Sequence, residues 1–388
     1  MAKPTVLLIA DYFAPAYKAG GPIRSLGNLV ACLGNEIEFH VLTRNRDLGD
    51  PRPFSGIEPD VWLACDGYRA CYLAPTRNLP GAVRRAAGAV RFDLVYLNSF
   101  FSPLSIAWLG LRRFGLVRRT PVVLTPRGEL ADGALRLKAP KKRAYMLVAR
   151  ALGLHRDIVW QATSPIERAD IARVTRRPIR IAANIPDRPV AGPMPSGHRP
   201  PKRAGAARFV FLGRIARNKN VEYALRMLAR LQGDCTFDVY GTSEDPAYLA
   251  ELRALAAGLP SNVRYAFPGP VAPDDVHRTL AAYHFFLFPS FHESFGHGIL
   301  EAMLVGLPVM VGDGTFWTGL AAQGAGFDVA LTDEDTFATR LQELVDLDAA
   351  AYERLSASTA RFAVRQVERS TAADDHRRLI REVLEGQP

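Results

Sequence analysis

Short apolar runs alternating with helix-period stretches are the feature that most constrains what this chain can become. Thr5 to Ile9, Glu38 to Thr43, Ala70 to Leu73, Leu94 to Leu97, Val122 to Thr125, Ile158 to Ala162 and Ile179 to Ala182 read as strands. Between most of them the apolar residues recur at helical spacing, as in Pro22 to Leu33, Pro103 to Phe114, Lys141 to Leu152 and Pro165 to Val174. Such alternation implies a parallel sheet covered on both faces, with ligands bound at the carboxyl ends of the strands. That rule singles out Asn98 and Ser99, and the loop Thr125 to Glu129 with Arg127 in it.

The alternation breaks once. Residues 187–206 carry five prolines and three glycines with no apolar period, and read as an interdomain linker. Strands then resume at Arg208 to Leu212, Cys235 to Tyr240, Val263 to Ala266, Phe285 to Phe288, Val309 to Val311 and Gly324 to Phe327. Helical patterns lie at Val221 to Leu231, Pro246 to Ala256, Glu334 to Leu344 and Ala372 to Leu384. A chain of 388 residues has room for two separate cores. The expected domains are therefore 1–186 and 207–388, joined by 187–206.

Pro289 to Asp313 is the stretch with the most chemistry in it. It runs strand, loop, helix, strand, and carries Glu293 and Glu301 eight positions apart. On one helix those carboxylates would stand roughly 12 Å apart and about 80° out of register. They converge on one ligand only if Glu293 lies on the loop before the helix. Gly296 and Gly298 allow that geometry and leave backbone N–H groups open to a phosphate. A second loop, Gly213 to Asn220, leaves a strand with Arg214, Arg217 and Lys219 and opens a helix, which suits a diphosphate. A third, Gly20-Gly21 ahead of Pro22, lets a ligand come close to the backbone or is a plain turn.

Other features narrow the classes. The net charge of +10 calls for an anionic partner, yet no nucleic-acid motif is present. Basic residues concentrate in 112–119 and 138–156, the latter mixed with Tyr145, Met146, Leu147 and Val148, so an anionic membrane face competes with an ordinary solvated helix. The four cysteines are scattered without metal spacing; Cys32 and Cys235 are expected as buried thiols. No apolar run is long enough to span a bilayer and the N-terminus leads straight into a strand, so a cytoplasmic location is expected. Asp333-Glu334-Asp335 mimics a metal-binding DxD but precedes a helix, where acids cap N–H groups. His292 and His297 lack a third ligand for zinc. No GxGxxG follows the first strand, which disfavours a dehydrogenase.

Glu293-x7-Glu301, with Phe295-Gly296 inside and Gly306-x-Pro308-Val309 after, resembles the E-x7-E signature of retaining glycosyltransferases of family GT4. Gly213-Arg214-x4-Lys219 is similar to that family's G-R-x4-K segment, and DYFAPAYKAGGPIRS resembles the opening of its polysaccharide-assembly members. The resemblance implies a GT-B fold, two Rossmann-like α/β domains facing a central cleft, with the last helix crossing back to the first domain. It implies a nucleotide-diphosphate sugar as co-substrate, a glycan or lipid-linked acceptor, retention at the anomeric carbon, and no obligate metal or other cofactor. Carried over by residue, Arg214 and Lys219 meet the diphosphate, Glu293 the sugar hydroxyls and Glu301 the ribose. Gly21, Phe295, Gly296, His297 and Gly298 line the donor, and the backbone of Pro270 and Val271 meets the base. Gly20, Asn98 and Arg127 fall on the acceptor side; Arg127 stands where many relatives carry histidine. An epimerase on the same architecture is the enzymatic rival, and a basic scaffold for membrane or anionic polymer the non-enzymatic one.

Overall fold

A computed structural model describes residues 3–136, 139–187 and 199–386. They divide into two compact units, Met1–Ile185 with Thr371–Pro388, and Pro186–Ser370. In the first, β1 (Thr5–Ile9) shows why the apolar runs become central strands. Leu7 and Ile9 join one hydrophobic cluster, Val6 and Leu8 another on the opposite face, and all four are fully buried. A strand buried on both sides favours apolar residues at nearly every position along it.

Chain order in this unit continues with α1 (Gly21–Leu33), β2 (Glu38–Arg44), β3 (Trp62–Cys65), β4 (Tyr68–Leu73), α2 (Leu79–Gly88) and β5 (Leu94–Asn98). Then come α3 (Pro103–Arg113), β6 (Val122–Thr125), α4 (Asp132–Arg136), α5 (Ala139–Leu152), β7 (Val159–Ala162), α6 (Pro165–Ala172) and β8 (Ile179–Ile181). The sheet order is β3-β4-β2-β1-β5-β6-β7-β8, parallel except for β3 against β4. β3 was not expected. It is an edge strand that buries none of its residues fully, so it carries no apolar signature.

The second unit repeats the plan with β9 (Ala206–Leu212), α7 (Val221–Leu228), β10 (Asp234–Tyr240), α8 (Pro246–Ala257), β11 (Val263–Gly269) and α9 (Val276–Leu280). It continues through β12 (Phe285–Phe288), α10 (His297–Leu304), β13 (Val309–Gly312), β14 (Gly326–Val329), α11 (Glu334–Asp346) and α12 (Ala349–Glu368). Its sheet is wholly parallel, ordered β11-β10-β9-β12-β13-β14. The order reverses direction between β9 and β12, which is where doubly wound sheets bind ligands. The 20 residues of α12 escaped the sequence reading because its buried face includes Ser356 and Thr359, and the apolar period is faint. Ser356 donates to the Gly306 carbonyl at 2.6 Å, packing α12 on the end of α10.

The last helix, α13 (Ala372–Leu384), belongs to the first unit. Leu379, Ile380 and Val383 share a cluster with Leu26, Leu29 and Leu33 of α1, and Arg377 pairs with Glu36 at 2.9 Å. Within the stretch read as a linker, residues 188–198 lie outside the described residues. Its end is anchored: buried Lys202 donates to the carbonyls of Val345 at 2.7 Å, Leu347 at 2.8 Å and Arg203 at 2.9 Å, where the dipole of α11 favours a cation. Asp333 caps α11 by accepting from Thr336 N–H at 3.0 Å. Cys235 is buried, whereas Cys32 is only half-buried, because it lies at the margin of α1's packed face.

Two glycine-bearing loops cross closely beside the second sheet. Gly213 donates its N–H to Tyr240 at 3.0 Å, and a Cβ on Gly241, whose φ is +150°, would collide with the Gly213 carbonyl. Gly241→Ala should therefore cost at least about 2 kcal/mol in denaturant unfolding. An unchanged midpoint would show that the loops are not wedged together.

Burial also keeps three histidines neutral. It pushes His155 and His284 down to about 4 and His376 to about 3. Below the ordinary value near 6.5 the unfolded chain takes up protons that the folded one refuses, so stability falls as pH drops through that window. The slope is roughly 1.4 kcal/mol per pH unit for each histidine. Urea midpoints between about pH 7.5 and about pH 5 should decline, and His376→Gln should flatten that decline by one proton's worth. A steeper or unchanged slope in the variant counts against the assignment.

Candidate functional site

In the second unit, the loop after β9 and the loop after β12 come together through one ion pair. β9 ends at Leu212, Gly213 follows, and a short 3-10 turn at Arg217–Lys219 leads through Asn220 into α7. Lys219 Nζ pairs with Glu293 Oε2 and lies 5.5 Å from the centroid of the Phe288 ring. Both side chains are largely withdrawn from solvent, 11% exposed for Lys219 and 20% for Glu293. In such surroundings the attraction is screened far less than at the surface. Backbone contacts fix the approach. Phe291 N–H and Ser290 Oγ both donate to the Asn218 carbonyl at 3.0 Å.

Glu293 lies on the loop and not on the helix, as convergence with Glu301 requires. Its N–H donates to the Gly314 carbonyl at 3.1 Å and its carbonyl accepts from Phe316 N–H at 3.1 Å. Gly296, at φ +77°, adopts the left-handed conformation that starts α10. The helix thus begins at His297, two residues later than its apolar period suggests, and its N-cap, a glycine, has no side chain to offer the first turn. Gly298 brings that turn close to the sheet: a Cβ there would stand 3.1 Å from the Leu212 carbonyl. Glu301 sits one turn further along, nearly buried. Phe295 is packed by His297, Phe316 and Trp317, and its carbonyl accepts from Trp317 Nε1 at 2.5 Å.

Not every expected residue joins this centre so tightly. Arg214 is part-exposed and bonded to Glu244 at 3.1 Å. His297 is buried, its Nδ1 3.3 Å from Asp187 Oδ2. That contact was invisible beforehand, since Asp187 was read as the first residue of a linker. Pro270 is exposed and Val271 half-buried, just past the carboxyl end of β11. Their strand is at the sheet edge, two strands from β9.

In the first unit, Gly20 precedes α1 at φ +79° and Gly21 is its first residue. The carboxyl ends of β5 and β6 bring Asn98 and Arg127 together. Arg127 donates through Nε at 3.2 Å and Nη2 at 2.9 Å to Asn98 Oδ1, and through Nη1 to Asn184 Oδ1. Burial lowers the guanidinium's pKa. Two carboxylates nearby are committed elsewhere. Glu129 accepts from Ser99 Oγ, Phe100 N–H and Phe101 N–H at 2.7, 2.7 and 3.0 Å, though burial still raises its pKa. Glu167 accepts from Gly128 N–H at 2.6 Å and from the Thr163 N–H and hydroxyl at 2.7 and 2.5 Å. Asn184, Glu167 and His376 were missed in the sequence. Only Ser164-x-x-Glu167 carried a signal, that of a capping box, and Ser164 does cap α6.

One surface brings the two basic segments side by side. Arg113 Nε donates to the Leu152 carbonyl at 2.6 Å, and Arg112 to those of Arg156 and Asp157 at 3.0 and 3.1 Å. These bonds join the end of α3 to the end of α5. Of the described residues of α5 only Ala149 is buried; Leu147 is 71% exposed and, beyond α3, Phe114 is 65% exposed. Lys138, which opens the second segment, lies outside the described residues. Among them, no helix is long and apolar enough to cross a membrane.

Comparison with known proteins gives these arrangements a family. Residues 20–185 match the family model described as "Glycosyl transferase 4-like domain", and residues 206–346 the one described as "Glycosyl transferases group 1". A 2-deoxystreptamine glucosyltransferase of Streptomyces kanamyceticus is 35% identical over 102 residues, 26% of each chain, so the chain matches about a quarter of that relative's length. Sucrose-phosphate synthase from Thermosynechococcus elongatus superposes with a TM-score of 0.70 at 19% identity, over 99% of this chain and 100% of the other. Anabaena HepE in complex with UDP and glucose gives 0.66 at 15%, covering 98% and 100%. WaaG, a glycosyltransferase involved in lipopolysaccharide biosynthesis, gives 0.64 at 15%, again over 98% and 100%. With two doubly wound units and both halves matched, the chain belongs to the GT4-type glycosyltransferases and has the GT-B fold.

Proposed function

We propose that this protein moves a hexose-type sugar from a nucleotide-diphosphate donor to a hydroxyl of a glycan or lipid-linked acceptor, with retention and without an obligate metal. The observation that carries the donor side is the Lys219–Glu293 pair beside the glycine-led start of α10. Lysine has three N–H donors, so Lys219 can hold Glu293 and still reach a phosphate oxygen. As the C–O bond to the sugar breaks, negative charge collects on the leaving diphosphate. Lys219, Arg214 and the first-turn amides of α10 are suited to stabilise it, since a helix N-terminus favours an anion. Fixed donors of this kind contribute about 3 kcal/mol each to the transition state. Glu293, held by Lys219, would accept from sugar hydroxyls, and Glu301 from the ribose. Complexes of HepE with UDP and with UDP-glucose support a nucleotide sugar as the donor type.

Transfer is tested with the full-length protein, labelled nucleotide sugars and a lipid extract as acceptor. Lys219→Ala and Glu293→Ala should each lower incorporation about a hundredfold or more, and the double variant should lose less than the sum, because the two act as a pair. Full incorporation by both single variants would remove the site assignment. Donor consumption that needs no acceptor would favour epimerisation. Chelator should leave the rate unchanged, and a chelator-sensitive rate would mark a metal requirement.

The acceptor side is supported by the basic and apolar surface of α5 and the end of α3. We propose that it rests on an anionic bilayer, placing the protein as a peripheral cytoplasmic enzyme. Each lysine or arginine near such a surface contributes roughly 1 kcal/mol, and the exposed leucines and Phe114 add apolar burial. Cosedimentation with phosphatidylglycerol-containing vesicles should fall at high salt. It should vanish in Lys141→Glu/Arg143→Glu/Leu147→Asp, and neutral phosphatidylcholine vesicles should not bind. Salt-independent binding, or equal binding by the variant, would end this part of the reading.

A further inference from the structure

Among the described residues, Arg127 is a cation with no carboxylate in ion-pair contact. Its guanidinium is bonded to two neutral amide oxygens, those of Asn98 and Asn184, and among the described residues no carboxylate oxygen approaches it within 4.0 Å. Glu167 influences it from farther off, and its oxygens are already taken by three donors. Two further titratable neighbours carry no negative charge there: burial pushes the Tyr96 phenol up to about 12, and burial together with Arg127's own charge pushes His376 down to about 3, its Nε2 donating to the Ala183 carbonyl at 3.1 Å. Placing a cation in such surroundings is costly unless it is paired. If the arginine served only to tie three loops together, a neutral side chain would suffice.

A second observation stands beside it. Asn98 is 4% exposed, and with its Oδ1 given to Arg127 its Nδ2 has no hydrogen-bond partner. A buried amide donor left unmade costs about 1–3 kcal/mol. Orphan donor and unpaired cation belong to one hydrogen-bonded group, and both are satisfied by the same kind of guest, an oxyanion. Arg127 is half-buried and so still open to one. Its five N–H groups are only partly used, since three bonds are made. The backbone is committed as well: Ser99 and Arg127, non-glycines in the left-handed region, flank this spot at φ +78° and +57°. Strain of that sort persists where the surroundings enforce it.

We infer that Arg127, positioned by Asn98 and Asn184, binds an oxyanion carried by the acceptor, so that the preferred acceptor bears a carboxylate or phosphate near the hydroxyl that receives the sugar. The inference rests on the acceptor-side reading above, and it narrows the acceptor from any glycan to an acidic one. Neutral sugars lack the charge that this site is missing.

The test uses the full-length protein saturated with UDP, so that phosphate is kept from the donor loops. Inorganic phosphate, glucose 6-phosphate, glucuronate and glucose are titrated by calorimetry at low and high salt. The wild type should bind the three anions and not glucose. Arg127→Gln and Asn98→Asp should each weaken that binding about tenfold or more, the second by supplying the missing negative charge from within. Asn98→Asp should also raise the unfolding midpoint, so it reports even if Arg127→Gln fails to fold. Phosphate-only binding points to a phosphorylated acceptor, and glucuronate binding to an acidic sugar; either supports the inference. Equal anion binding by wild type and Asn98→Asp, or none by wild type, overturns it. Failure of UDP itself to bind strikes the donor reading alone, because the difference between wild type and Asn98→Asp is still measured.

Discussion

Parallel strands must be covered on both faces, and that requirement organises the molecule. In β1 the inner residues are apolar whichever way they point, so no side chain with chemistry sits along it. Polar residues become possible where the strand ends and the chain turns toward a helix. Asn98, Arg127, the Gly213–Lys219 loop and the Pro289–Glu293 loop all occupy such carboxyl ends. The same geometry points amides of the following helix at whatever binds there.

Compensation of buried charge then separates structural groups from functional ones. Glu129 and Glu167 each receive three donors, and Lys202 is seated on three carbonyls. Those groups are satisfied by the protein itself. Lys219 and Glu293 satisfy each other in a half-buried place while leaving spare donors and acceptors. Arg127 differs from all of them, because the groups it bonds to are polar but neutral. A folded chain gains little from a cation held this way, so the compensation is better sought outside the chain.

Much of this was legible in advance. Runs of Val, Ile, Leu and Phe marked the inner strands because two-sided burial leaves little else possible. β3 and α12 went unseen for the converse reason. An edge strand buries little, and a helix packed through Ser356 and Thr359 hides its period. Glu293, Lys219, Gly296 and Glu301 were found by spacing, since loop-to-helix geometry leaves its mark over a few residues. Asn184 and His376 were not, because they reach Arg127's neighbourhood from 57 and 249 positions further along the chain. Asp187 falls in the stretch whose composition reads as linker, yet it meets His297.

By itself, then, the sequence determined the two sheets, the break between them, the glycine-bearing charged loops at their strand ends and the family to which they point. Those are local properties, set by side-chain period and by glycine placed next to charge. Tertiary structure alone decided which charges are paired: Lys219 with Glu293, Arg214 with Glu244, and Arg127 with no carboxylate among the described residues. Pairing depends on distances between segments remote in the chain, and on how far burial strips away the water that would otherwise make such distances matter little.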